Sequence, residues 1–565
     1  MASTVEYPNT MSGVSRVRYA LFEFPWQRLF RFFMQSSFLK SLATVSGFTL
    51  LSRVFGFARQ VLIAGVIGAG GSPVADAFWA AFRLPNMFRR LLAEGAFQAA
   101  FIPLFQGKLT ADGEQAAKQF AEDVLSGLML IVGVLTAIVL VAAPGVVWLV
   151  ASGFSGDTEK FDLTALYLRI MFPYLACMSV VGLFSGVLNS LNRFMAYAGA
   201  PLLLNVCQIG VLLIFANSSV ESAGVALAIA TSVSGVLQAA LLIWGASRQG
   251  YFLRLRIPKV TPELRRLLVL GGPGFISAAA VQINIVVGTN IASREPGAVS
   301  WLMNADQLYQ LPLALIGIAL GTVLLPTLSR RVKENDEGGA IAALNRAVEL
   351  SALLVLPAAA GLVVLSTPIC DALFRGFASD VLGVFGGKSS AFTKDDAIKT
   401  GAALALYGAG LPAFVWQKVF LPAYFAREDT RTPMVQALWS IAANTVLALA
   451  LFPVLGFLGV ALATSLAGWL QASLLGVGLL RRKSLSPDPR LLRRLPAIFA
   501  AAAAMAAVLI ALASRLDVIT LVLFDRDWLA VAALIVLGAI TYVCALLALG
   551  GAKISDYKTS LKRET

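Results

Sequence analysis

The chain of 565 residues contains no histidine, and only 13% of its residues are charged. Soluble domains carry about 25% charged residues, so a chain this poor in charge is not built to face water. The missing histidine removes the commonest general base and the commonest metal ligand, which counts against a hydrolase or a zinc enzyme. Cysteine is scarce too. Cys177, Cys207, Cys370 and Cys544 fall within or at the ends of apolar runs, with no pairing or metal spacing, and read as small core residues. No charged start, short apolar core and small-residue cleavage site precede the first long apolar run, so no cleavable signal is expected.

What is present is apolar: 58% hydrophobic residues and a mean hydropathy of +0.79. The composition predicts an all-α polytopic membrane protein. The formal charge of +14 and pI near 9.8 would suit a nucleic-acid partner, but the basic residues gather in loops between apolar runs. That is the positive-inside pattern, and orientation explains it without a polyanion.

A spanning helix needs about 20 mostly apolar residues. Fourteen segments meet the rule, at roughly 41–68, 74–107, 122–152, 162–190, 198–216, 221–246, 264–292, 298–329, 341–369, 400–426, 433–453, 457–480, 491–514 and 527–550. The second and eighth are long for one crossing and are expected to tilt, kink or project from the bilayer. Loops after even-numbered spans hold most of the Lys and Arg, including Arg254, Arg256, Arg330, Arg331, Arg481 and Arg482. The asymmetry predicts both termini in the cytoplasm.

Spans 1–6 and 7–12 read as two parallel copies of one unit. Leu84-Pro85 and Pro103 on the second span match Leu311-Pro312 and Pro326 on the eighth. The organisation expected is a cytoplasmic extension (1–36), two pseudo-symmetric six-helix lobes (37–250 and 251–484), an appended helix pair (485–550) and a cytoplasmic tail (551–565). Residues 1–36 read either as an in-plane amphipathic helix or as a dispensable extension. The mixed-charge segment 380–399 reads as a flexible exterior loop.

Charge inside the spans is the informative exception. Arg53 and Arg59 lie on the first span, and Asp76, Arg83, Arg89, Arg90 and Glu94 on the second. Arginine near the bilayer centre costs about 2.5–3.5 kcal/mol on insertion scales, so it normally faces a wet cavity. Asp76, Arg83 and Arg90 are seven apart and Glu94 follows four later, which puts them on one helix face, with a break at Pro85. Two acids cannot neutralise five arginines. The surplus predicts a positively charged chamber for an anionic substrate, because guanidinium forks bind phosphate oxygens bidentately. The competing reading is a set of structural ion pairs tying the first two spans together. Asp306, on the eighth span, reads equally as a cavity acid or as a lock to a first-half arginine, and Lys418 as a snorkelling residue.

Several stretches resemble the MurJ/MviN lipid II flippase family. They are Ser52-Arg53-Val54-Phe55-Gly56-Phe57-Ala58-Arg59, Asp76-Ala77-Phe78, and Leu84-Pro85-Asn86 through Arg89-Arg90 to Ala93-Glu94-Gly95-Ala96-Phe97. Leu188 to Phe194, Ala305-Asp306 with Gly321 to Pro326, and Arg427 to Pro433 fit as well. The resemblance runs from about Lys40 to the C-terminus.

It implies the fold of the multidrug/oligosaccharidyl-lipid/polysaccharide exporter superfamily: two six-helix lobes plus a helix pair forming a groove for a polyprenyl tail. It implies a transporter, not an enzyme, in the bacterial cytoplasmic (inner) membrane. Its substrate would be lipid II, the undecaprenyl-diphosphate-linked disaccharide-pentapeptide, carried from the inner to the outer leaflet by alternating access. Arg59 and Arg89 stand at positions that hold the diphosphate; Arg53, Arg90, Asp76 and Glu94 match functionally sensitive positions. The partners implied are lipid II, membrane lipids, and cell-wall synthesis or division proteins. Neither a cofactor nor a metal is expected. Three glutamines depart from the family pattern. Gln60 and Gln310 replace acids, and Gln307 replaces an arginine, so a third cavity arginine is missing or supplied from elsewhere. Some members bind sodium through acids on spans seven and eleven; Leu267–Ile291 and Met434–Pro453 contain none.

Alternatives are a flippase for another polyprenyl-diphosphate oligosaccharide or a multidrug exporter. From a different class, a membrane glycosyltransferase would need a catalytic acid near a membrane face. The larger exterior loops offer Asp157, Glu159, Asp371, Asp380, Asp395 and Asp396, with no motif around them.

Overall fold

Without water, each backbone N–H and C=O must be satisfied within its own segment, and long apolar runs therefore fold as helices. The computed structural model describes residues 37–70, 72–92, 96–258, 261–523 and 526–551, and every regular element among them is helical. The expected terminal extension and most of the tail lie outside the described residues.

The longer helices, in chain order, are α1 (Ser37–Ile67), α2 (Pro73–Leu92), α3 (Ala96–Ala111), α4 (Gly113–Val141), α5 (Thr158–Met171), α6 (Tyr174–Ser190), α7 (Phe194–Ile214) and α8 (Val220–Ser247). The second half continues with α9 (Pro262–Ala292), α10 (Ala298–Lys333), α11 (Glu337–Val364), α12 (Lys394–Phe425), α13 (Arg431–Leu455) and α14 (Phe457–Arg481). Then follow α15 (Pro489–Ala513) and α16 (Asp527–Ala548). Among the described residues, eleven helical stretches are long and apolar enough to cross a membrane. The charges that make α2 interesting keep it out of that set: Asp76, Arg83, Arg89 and Arg90 all sit within its 20 residues.

Helix ends follow local chemistry. Ser219, Thr261 and Asp488 accept backbone amides at the starts of α8, α9 and α15, and Thr393 and Asp396 form a capping box on α12. Asn192, Asn335, Glu428 and Lys483 take positive φ just beyond α6, α10, α12 and α14. There a left-handed residue closes the last turn.

The second expected span holds α2 and α3, and residues 93–95 between them lie outside the described residues. The eighth is a single helix of 36 residues, roughly 54 Å long, with Pro312 and Pro326 inside it. The third begins earlier than expected, at Gly113. Segment 380–399 is not a free loop: it holds the end of a short helix, Ala378–Val384, and the start of α12, and Ala391 donates its amide to Gly65 at 2.7 Å. Cys370 is buried, but Cys544 is exposed and is no core residue.

The same helix pairings occur in both halves. α1 packs on α7 as α9 packs on α13, α2 on α5 and α6 as α10 on α12, and α6 on α8 as α12 on α14. α15 and α16 pack on each other, and both lie against α11. The halves touch at both ends of the bundle. At one end Gly153 donates to Ser293 and Gly70 to Asp396; at the other Lys108 pairs with Glu263 at 3.1 Å. Between these ends lies the candidate site.

Candidate substrate-binding site

α2 starts at Pro73, carries Asp76 in its first turn and ends in Arg89 and Arg90, a charge order that suits the helix dipole. Midway, it meets α1 and α10 around a cavity of about 240 Å³. Arg59, Arg83, Arg89, Arg90 and Asp306 line it together, with Asn86, Gln282, Gln307 and Gln310. Four guanidinium groups therefore face one carboxylate among the described residues.

Neutral amides orient these cations. Arg59 donates to Asn205 Oδ1 at 3.1 Å, and Asn205 is itself fixed by donating to the Ser52 carbonyl at 2.9 Å. Arg89 Nε donates to Asn86 Oδ1, one turn earlier, at 3.1 Å. Asp306 accepts from Gln310, four residues on. The decisive detail is what remains unmatched. Arg59 Nε, Arg83 Nε and Trp79 Nε1 are buried donors with no hydrogen-bond partner. All three belong to residues lining the cavity. A buried orphan donor costs about 1–3 kcal/mol, so the cavity suits an acceptor-rich anion.

Not every expected residue is here. Arg53 is exposed and does not line the cavity. Asp76 is fully buried roughly 21 Å along α2 from Arg90. It pairs with Lys160 at 3.2 Å and accepts from the Gly297 and Ser300 amides, so it does not counter the cavity arginines. Lys160 is in the first turn of α5. Glu94 lies outside the described residues.

Gln307, where the family pattern has a cation, lines the same cavity as Arg83 and Arg90. Gln60, where an acid was expected, is buried and donates to Asn304 Oδ1 at 2.7 Å, a neutral bridge from α1 to α10. Reading charges alone missed Asn86, Asn205 and Asn304. The available signal was an amide side chain in an otherwise apolar run. Through Arg83, Arg90, Asp306 and Gln310 the cavity adjoins a second one of about 320 Å³ in the second half. Among the described residues no group of three or more His, Cys, Asp or Glu could hold a metal ion.

Residues 63–533 match the family described as lipid II flippase MurJ. The chain belongs to the MurJ family. It is 43% identical over 536 residues to a probable lipid II flippase MurJ of Rhizobium meliloti (strain 1021), covering 93% of this chain and 97% of the relative. The corresponding Rhizobium tropici protein is 40% identical, with 94% and 97% covered. A lipid II flippase MurJ of Burkholderia cenocepacia is 35% identical, with 83% and 89% covered.

The fold resembles that of a solved MurJ in an inward closed conformation, with TM-score 0.72, 24% identity, and 89% and 97% covered. An inward-facing multidrug resistance MATE family transporter of the MOP superfamily follows at TM-score 0.63 and 15% identity, with 79% and 98% covered. As a MurJ family member with many apolar helices, the chain is a multi-pass protein of the cytoplasmic membrane.

Proposed function

We propose that this chain moves lipid II from the inner to the outer leaflet of the cytoplasmic membrane by alternating access. The observation that carries the reading is the group of partnerless guanidinium donors facing a desolvated cavity, which a diphosphate would satisfy. Arg59, Arg83, Arg89 and Arg90 hold the diphosphate, and Asp306 limits the excess charge when the site is empty. Arg53 lies outside that set.

The polyprenyl tail takes an apolar groove of about 650 Å³, lined by Leu353 and Pro357 of α11, Met505 and Leu509 of α15, and Tyr542 of α16. The chain crosses the membrane fourteen times with both termini inside. α2, α9 and α10 complete the count, and the Asp76 end of the bundle faces the exterior. Residues 37–250 and 251–484 act as two lobes that rock about the site, with the pair in 485–550 attached to the second. Contacts between the lobes at each end must break in turn. A charge crossing the field gains about 2.3 kcal/mol per 100 mV. Cell-wall synthesis or division proteins are further partners in this reading.

The test is outer-leaflet accessibility of lipid II in bacteria depleted of their own flippase. Wild type restores accessibility, and Arg59→Ala or Arg89→Ala at matched membrane levels does not. Each charge-assisted bond to phosphate contributes about 1.5–3 kcal/mol, so either loss should cut transport by roughly tenfold or more. Full transport by both variants would end the proposal.

A further inference from the structure

The second cavity differs in kind from the first. Arg83, Arg90 and Asp306 form its shared wall with the arginine chamber; beyond them its lining carries no charge. α9 contributes Asn284 and Thr289, α13 Asn444, and α14 Thr464. Tyr309 and Tyr407 form one side, their ring centroids 5.0 Å apart.

The hydrogen bonds within this lining leave acceptors over. Asn444 Nδ2 donates to Asn284 Oδ1 at 3.0 Å. Thr289 and Thr464 donate their hydroxyls to their own helices, to the Ile285 and Val460 carbonyls. The lone pairs of both hydroxyls remain available. Asn444 is 8% exposed, and its Oδ1 is buried with no partner. Beyond that shared wall, surplus acceptors and aromatic faces suit a ligand rich in hydroxyl and amide N–H donors. A second phosphate would meet lone pairs there. A bare alkyl chain would leave the Asn444 oxygen unsatisfied.

We infer that this annex binds the sugar joined directly to the diphosphate of the transported lipid. The inference rests on the transport reading above and deepens it. A diphosphate held by Arg83 and Arg90 directs its first sugar across the shared wall, and about 320 Å³ lies at the lower end of ligand-pocket volumes, roughly 300–1,000 Å³. The annex then gives the transporter a means to distinguish a glycosylated diphosphate from the bare carrier lipid. Hydrogen-bonding sites reject analogues that lack the matching donors, because their own polar groups are left unpaired.

The experiment measures binding of two lipids, lipid II and undecaprenyl diphosphate, to the full-length chain in phosphatidylcholine vesicles. Asn444→Leu and Thr464→Val remove acceptors while keeping the site filled, and Arg89→Ala serves as the control for the charged chamber. Each acceptor variant should weaken lipid II binding about tenfold, the worth of one or two hydrogen bonds, and leave undecaprenyl diphosphate within about twofold. Arg89→Ala should weaken both lipids.

Two outcomes overturn the annex while leaving the transport reading intact: acceptor variants that weaken both lipids equally, or that weaken neither. Wild type that binds neither lipid overturns the transport reading itself. Should Asn444→Leu fail to fold, the smaller change Thr464→Val decides alone.

Discussion

The carboxylate of Asp76 accepts the backbone amide of Gly297 at 2.7 Å, joining residues 221 apart in sequence. Its other oxygen takes the Ser300 amide at 3.0 Å and the Ser300 hydroxyl at 2.7 Å. A first-half acid thus sits on the N-terminus of α10, where the helix dipole favours negative charge. Lys160 completes the shell at 3.2 Å, 8% exposed at its side chain.

Removing the acid strands a buried cation. Breaking a buried pair in this way costs about 3–5 kcal/mol, so Asp76→Ala should lower the thermal midpoint of the detergent-solubilised chain by several degrees. Asp76→Asn keeps the shape and two acceptor contacts and should fall between the two. An Asp76→Ala chain that unfolds with wild type would refute the account of this joint.

Gly70 tests the same joint sterically. Its amide donates to Asp396 Oδ1 at 2.7 Å, and the same oxygen accepts Trp301 Nε1 at 2.7 Å. A Cβ built on Gly70 would lie 2.3 Å from the Trp301 ring and 2.8 Å from Asp396. Neither neighbour can withdraw, because each holds the other. Gly70→Ala should therefore push the halves apart at this end, at an overpacking cost of about 1–3 kcal/mol. Cysteines introduced near the joint in a chain freed of its own four should label faster from outside in Gly70→Ala than in the parent. Equal labelling would show that the contact closes nothing.

The helical class and most segment positions were legible in the sequence because apolar length and basic loops are properties of the chain alone. Arg59, Arg83, Arg89 and Arg90 were legible as a group because charge in a span demands a reason, while Asp306 read equally as a cavity acid or as a lock to a first-half arginine. Asp76 was misread for a physical cause. Its spacing from Arg83 and Arg90 is a helical relationship, whereas its partners Lys160, Gly297 and Ser300 come from other helices that no local pattern reveals. The amides were missed for the opposite reason: Asn205 and Asn444 look incidental in an apolar run until their hydrogen bonds are counted.

Glu349 of α11 holds the appended pair. It is 7% exposed and faces Arg346 of its own helix and Arg490 and Arg494 of α15, at 3.1 Å for Arg490. Asn345 adds a bond to the Ser486 carbonyl at 2.8 Å. Glu349→Gln would leave three guanidinium groups around a neutral amide, their repulsion offset only in part by Asp488, which pairs with Arg346. We expect α15 to swing from α11, widening the apolar groove. Spin-label distances between the two helices should broaden in the variant, and an unchanged distribution would count against this anchor.

Asp429, in the turn between α12 and α13, gives a prediction in pH. The Thr432 amide donates to it at 2.9 Å and Arg482 pairs with it at 2.5 Å. These contacts, the amide foremost, lower its pKa from 3.8 to about 2. A carboxyl whose folded value lies below its unfolded value stabilises the fold fully above the unfolded value and loses that contribution as pH falls through the folded one. The wild-type advantage over Asp429→Asn in thermal midpoint should thus be constant above about pH 5, shrink as pH falls through 3.8, and be lost below about pH 2. Its Arg482 component should shrink in high salt, since both side chains reach solvent, while the Thr432 component should persist. A difference that grows on acidification would reverse the sign and exclude this turn as the cause.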